Sequence, residues 1–176
     1  MKATGIIRRI DELGRIVIPK EIRKSLRIKE GENLEIYVDK DENIILKKHS
    51  LVKRLSDFAQ DFADSAYSYI KHNVIITDNN SIIAVSGNLK KDYLNQPISV
   101  YLESKINSRE EIFEASKRKI ELIDDVSIEA TYTMSPIIVN GDTSGAVIIL
   151  SSNEEITDLD YKLVQILSNF FRSHLE

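Results

Sequence analysis

The sequence predicts a chain of mixed class in two parts, a small and mainly β N-terminal module with one short helix, followed by a larger α+β body. Charge separates the parts. Residues 1–54 carry 14 Lys+Arg against 9 Asp+Glu, and residues 55–176 carry 10 against 19. Hydrophobic periodicity separates them again. The first part alternates short β-branched runs with turn residues, and the second opens and closes on apolar residues spaced three or four apart. The expected division is residues 1–50, a linking or oligomerisation helix over 51–72, and a body over 73–176.

Gly5–Ile10 reads as a strand, Asp11-Glu-Leu-Gly14 as a tight connection, and Arg15–Ile18 as a second strand. Gly14 suits the left-handed backbone that such a connection needs. Pro19 fits the first turn of a helix, where its missing N–H costs nothing. Lys20–Leu26 supplies about two turns, with Ile22 and Leu26 on one face. Leu34–Val38, the turn Asp39–Asn43 and Ile44–Lys48 complete the module as a hairpin. So small a unit buries little apolar surface, and with no cysteine for a disulfide or thiolate–metal staple it is expected to fold only as a dimer.

Leu51, Leu55, Phe58, Phe62, Ala66 and Ile70 form an apolar stripe, so 51–70 is a long amphipathic helix. It serves equally as a coiled-coil linker or as a cover for its own domain's sheet. Asn73–Asp78 and Ser81–Ser86 read as a hairpin. Residues 88–119 are polar and mixed, with helices expected at Gln96–Lys105 and Arg109–Lys117. Glu129–Val139 is strand-like, with Pro136 marking a bulge or an edge. Asn140-Gly141-Asp142 is a turn, Gly145–Leu150 a buried strand, and Thr157 with Asp160 a capping box. Leu163, Ile166, Leu167, Phe170 and Phe171 then build a closing helix.

Enzymatic chemistry finds no support. The chain has neither GxGxxG nor GxxxxGK[ST], and its glycines are scattered. His49, His72 and His174 lack ligand spacing and read as exposed polar residues near helix boundaries. Asp124-Asp125 and Glu154-Glu155 read as solvated loop acids, and Ser135 and Ser144 have no nucleophile context. No catalytic residue, metal site or cofactor is expected. No apolar run is long enough to span a membrane, the N-terminus lacks the apolar core of a signal peptide, and the protein is expected to be cytoplasmic.

Nucleic acid is the better partner. Residues 1–29 hold 9 Lys+Arg against 3 Asp+Glu. Arg8 sits on the first strand, Arg15 just past the turn glycine, and Arg23 and Lys24 on the short helix. Such cations neutralise phosphates, and arginine forks can read guanine edges. The helix is too short for a helix-turn-helix and no helix precedes it, which points to a double-stranded DNA reader using loops and strands.

The run Thr4–Leu26, with LGRIVIPKEIR at its centre, followed by Leu34–Asp39 and Ile45–Lys48, resembles the DNA-binding domain of AbrB-type transition-state regulators over residues 1–50. The resemblance implies a swapped-hairpin dimer whose chains interleave into one β-barrel, with Arg8, Arg15, Arg23 and Lys24 at DNA-contacting positions. The family usually carries a second arginine where this chain has Lys24, which keeps phosphate neutralisation but not a bidentate contact. The whole chain, including SGNLKKDYLNQPIS and SPIIVNGDTSGAVII, is similar to a family of sporulation regulators joining this domain to a C-terminal GAF domain. That likeness implies an activator and repressor of late forespore genes, and a tetramer built through the first and last GAF helices. It leaves two roles for the GAF domain, sensing an unknown small-molecule ligand or purely structural oligomerisation, and names no pocket residue. A different class, an antitoxin-like interaction protein, shares the swapped-hairpin domain, although antitoxins usually carry a flexible tail there.

Overall fold

A computed structural model describes residues 5–50, 52 and 56–176. Leu51 and Leu55 of the expected stripe, and the side chain of Asp57, lie outside what is described. The chain divides into two compact units, Met1–His49 and Ser50–Glu176.

In the first unit, helix α1 (Lys20–Ser25) starts directly after Pro19. Strands β1 (Leu34–Val38) and β2 (Ile44–Lys48) pair antiparallel with Leu34 opposite Lys48. Asp39 closes their turn by accepting from the backbone N–H of Asp41 and of Asn43, each at 2.9 Å. The two strands expected at Gly5–Ile10 and Arg15–Ile18 form no ladder among the described residues. Only the turn between them is closed, by Asp11 N donating to the Arg15 carbonyl at 3.0 Å and Gly14 N to the Asp11 carbonyl at 2.9 Å. A strand exists through its neighbours, and the described residues of one copy supply none here. The side chains of Ile7, Ile10, Ile16 and Val17 are accordingly exposed, as are Leu26, Ile36, Val38 and Ile44.

The second unit is a five-stranded antiparallel sheet of order β4-β3-β7-β6-β5 with helices on both faces. Its strands are β3 (Asn73–Asp78), β4 (Ile82–Ser86), β5 (Ile112–Ile123), β6 (Val126–Val139) and β7 (Asp142–Ser151). Helices α2 (Ser56–Ile70) and α5 (Asp158–Leu175) cover one face, and α3 (Lys90–Tyr93) and α4 (Val100–Asn107) lie over the other. Alternation along β7 shows the sorting. Val147 and Ile149 join the α2/α5 core, whereas Ala146, Ile148 and Leu150 join the α3/α4 core. A strand buried on both faces reads as a continuous apolar run. Gly145 is required by proximity, because a Cβ at that position would overlap the Thr77 carbonyl oxygen on β3.

On α2 the buried positions are Ala59, Ala63 and Ala66, flanked by Phe62 and Ile70, and Phe58 of the expected stripe is exposed. The small alanines let the helix lie close on the sheet and turn Phe58 outward. On α5, Val164, Leu167 and Phe171 are buried and Ile166 is exposed. The capping box forms, with Thr157 N donating to Asp160 Oδ2 at 2.7 Å.

Three expectations are corrected. The helix expected at Arg109–Lys117 is instead the start of β5, because residues 112–123 pair with β6 and that ladder outweighs their helix-compatible composition. The helix expected at Gln96–Lys105 is shifted to Val100–Asn107, with Ser99 Oγ capping it by accepting from Leu102 N at 2.9 Å. His72 is buried rather than exposed, with Nδ1 3.3 Å from Asp160 Oδ1 and Nε2 3.3 Å from Glu154 Oε2. Pro136 behaves as expected. The β5 ladder ends at Met134, so β6 has a neighbour on one side only at Pro136, and its register with β7 shifts between Ile137 and Ile138. No helix among the described residues is long and apolar enough to cross a membrane.

Candidate nucleic-acid interface

The cations flagged in the sequence sit on two local elements. Arg8 and Arg15 flank the Asp11–Gly14 turn, and Arg23 and Lys24 occupy the last turn of α1. The turn is organised by Asp11. Its Oδ1 accepts from Leu13 N at 3.0 Å and Arg15 N at 2.8 Å, and its Oδ2 accepts from Arg15 Nε at 2.7 Å. Gly14 occupies the left-handed region, φ +76°, which completes the reversal. The backbone N–H of Arg15, and then its guanidinium, hold the Asp11 carboxyl below the usual carboxylate range.

Arg15 is therefore oriented but still open to a ligand, since 72% of its side-chain surface is exposed. Arg8 is exposed, and its Nη1 donates to the Ile7 carbonyl at 3.1 Å. Lys24 is exposed on the helix. Arg23 is half-buried, and its Nε is buried without a hydrogen-bond partner among the described residues. Within one chain no hydrogen bond or ion pair among the described residues joins the turn pair to the helix pair. Lys48, by contrast, is structural: its Nζ donates to the Arg27 carbonyl at 2.6 Å and lies 3.4 Å from Glu32 Oε1. The residue that sequence reasoning missed is Asp11, which positions Arg15. Its signal was the four-residue spacing across a glycine turn.

On the α3/α4 side of the second unit a core of buried side chains packs against the sheet, among them Tyr93, Ile98, Leu102, Ile106, Tyr132 and Met134. Burial, followed by a hydrogen bond with Tyr101, pushes the Tyr132 phenol up. Among the described residues no group of His, Cys, Asp and Glu could hold a metal ion.

Comparison with known proteins places both units. Residues 54–176 match the family model described as "Stage V sporulation protein T C-terminal, transcription factor", and residues 7–53 match "Antidote-toxin recognition MazE, bacterial antitoxin". Stage V sporulation protein T of Bacillus subtilis (strain 168) is 46% identical over 177 residues, covering 100% of this chain and 99% of that one. The transition state regulatory protein AbrB of the same organism is 65% identical over 49 residues, 28% of this chain and 50% of that one. Among solved structures, the cofactor binding GAF domain of the nutrient sensor CodY from Clostridium difficile matches with a TM-score of 0.51 at 12% identity, covering 89% of this chain and 94% of that one. At that identity the likeness establishes the fold alone, and the fold is GAF. An AbrB-type domain followed by a GAF-fold domain, matched along its whole length by such a relative, belongs to the stage V sporulation protein T family of sporulation transcription factors.

Proposed function

We propose that this transcription regulator binds double-stranded DNA through its N-terminal unit as a swapped-hairpin dimer, with Arg8, Arg15, Arg23 and Lys24 facing the DNA. One observation carries the reading. The segments 5–10 and 15–18, which find no ladder partner among the described residues of their own chain, bear both the exposed Ile7, Ile10, Ile16 and Val17 and the cations Arg8 and Arg15. A second copy supplies the missing ladder, buries those apolar side chains and brings two sets of cations onto one body. The DNA-binding domain is then residues 1–50, the linking or oligomerisation helix 51–72, and the GAF-fold body 73–176. Specificity comes from base edges or from groove shape. The targets are late forespore genes, activated or repressed, and the protein works in the forespore cytoplasm. Genome-wide mapping of bound sites in sporulating cells tests the regulon, and anisotropy titration of a mapped site across a salt series tests the interface.

For the GAF domain the structural role is favoured over ligand sensing. The α3/α4 face is occupied by the domain's own apolar side chains, while Phe58 on α2 and Leu159 and Ile166 on α5 are exposed. These outward side chains suit subunit bundling into a tetramer. Light scattering of the chain and of its Ile166→Asp variant tests the tetramer, and a thermal-shift screen against metabolites tests for a ligand, which must raise the melting temperature. The antitoxin reading draws on the match over residues 7–53 alone. It is disfavoured because residues 56–176 form a packed domain rather than a flexible tail.

A further inference from the structure

The GAF-fold sheet has two edges, and the chain treats them differently. The β4 edge is closed by its own unit. Ile82 N donates to the Gln96 carbonyl at 2.9 Å, and Asn95 N returns a bond to the Ile82 carbonyl at 2.9 Å. Further along, the Gln60 amide of α2 grips both backbone groups of Val85, donating to its carbonyl at 3.0 Å and accepting from its N–H at 3.3 Å. The β5 edge is tied only at its end, where Ser99 N and Oγ donate to the carbonyls of Leu122 and Glu121. From Phe113 to Ile120, the backbone of β5 has no hydrogen bond among the described residues beyond its ladder with β6.

The open stretch also carries a run of cations on this acidic body. Lys117, Arg118 and Lys119 are consecutive and exposed, three of the ten Lys+Arg of residues 55–176. Arg118 lies 3.7 Å from Glu114 of its own strand. Lys117 and Lys119 have no partner among the described residues. The register slips between Glu114 and Arg118, so the ladder is interrupted beside the charges.

Cations on an edge strand deter pairing with a second copy, because like charges would lie opposite one another. The same charges select for a strand of opposite sign. We propose that the β5 edge accepts an extended acidic segment of a protein partner as a sixth strand, with main-chain bonds giving affinity and Lys117–Lys119 giving selectivity. Duplex DNA fits this edge less well. A strand edge alternates donors with carbonyl acceptors, and phosphates offer only acceptors. Residues 50–176 also carry 19 Asp+Glu against 12 Lys+Arg, which repels a polyanion away from the strip.

The test uses the full chain and a fluorescein-labelled octapeptide of alternating Glu and Val. Its controls are a Lys/Val counterpart, a version N-methylated at alternate residues, and labelled duplex DNA. Saturating Glu/Val peptide is expected to slow amide exchange over residues 113–120 at least tenfold. The Lys/Val and N-methylated peptides, and the Lys117→Gln/Lys119→Gln variant, should each bind at least tenfold more weakly; both substituted side chains are exposed, so the variant should keep its melting temperature. Equal affinity for the N-methylated peptide, or unchanged exchange on β5, overturns the proposal. Loss of duplex binding or of self-association in the variant, without peptide binding in the parent, assigns the strip to DNA or to a second copy and equally overturns it.

Discussion

Replacing Arg15 by alanine separates the interface from the fold. Among the described residues, the Arg15 side chain is engaged only with Asp11, through a 2.7 Å bond between side chains 72% and 42% exposed. Pairs of that exposure contribute about 0–1 kcal/mol, so R15A should cost the unit under about 1 kcal/mol of stability. Binding is different, because a dimer presents two copies of Arg15. A hydrogen bond from a charged donor is worth about 1.5–3 kcal/mol. Two contacts, less what each arginine surrenders in leaving Asp11, make about 2–5 kcal/mol, or roughly 30-fold to several thousand-fold in affinity. The salt dependence gives an independent number. Losing two phosphate contacts reduces the slope of log K against log salt by about 1.8, so the gap between parent and variant shrinks about tenfold from 50 to 200 mM salt. The assay is anisotropy titration of a fluorescent operator duplex at four salt concentrations. Asp11→Asn is the converse control. Asparagine retains an Oδ1 acceptor for Leu13 N and Arg15 N but removes a negative charge beside the phosphates, so DNA binding should tighten several-fold. An R15A protein with the parent's affinity and slope would refute the assignment of Arg15.

Ile16→Asp should dissociate the proposed N-terminal dimer and unfold its unit, because a side chain exposed in one chain would be buried between two in that dimer. Sedimentation velocity checks this, and an intact dimer counts against the swapped hairpin. Gly145→Ala should destabilise the GAF-fold unit by about 3 kcal/mol or more, lowering its melting temperature by roughly 10 °C, since the new Cβ meets the Thr77 carbonyl with φ at +156°. Calorimetry decides, and an unchanged melting temperature would show that β3 and β7 can part there. The Asp11 turn should be pH-dependent in a defined direction. Its folded carboxyl titrates below the ordinary value of about 3.9, so its contribution is complete above that value and fades as pH falls through the depressed one. The Leu13 and Arg15 amide shifts should move in that acid window in the parent and stay still in D11N.

What the sequence made legible was whatever depends on neighbouring residues. The glycine turn, the β1–β2 hairpin and the Thr157–Asp160 cap are each set within a few positions, and each formed. What it hid depends on distant partners. His72 reads as an exposed polar residue because the acids that enclose it lie 88 and 82 positions away. Residues 109–117, rich in Glu, Lys and Arg, satisfy a helix locally, and only β6 makes part of them a strand. Phe58 fits the α2 stripe by spacing, but the alanines at 59, 63 and 66 decide which face lies on the sheet. The segments 5–10 and 15–18 have the composition of strands, yet among the described residues of one chain nothing pairs with them.

That last point joins oligomerisation to DNA binding. Arg8 and Arg15 stand on a backbone whose pairing, in the proposed dimer, comes from a second chain, so ordering the arginines and forming the dimer are one event. A protein dilute in the cell would then lose DNA affinity through dissociation before any contact was altered, because the competent species is populated only in proportion to dimer. Fusing the unit to a domain that assembles by itself changes the arithmetic. Tethered copies meet at an effective concentration in the millimolar range for short linkers. In the proposed tetramer a GAF-fold body supports regulation without binding any ligand, by keeping N-terminal units within reach of one another. On this view, substitutions on the outward faces of α2 and α5 weaken DNA binding only at low protein concentration, whereas loss of Arg15 weakens it at every concentration.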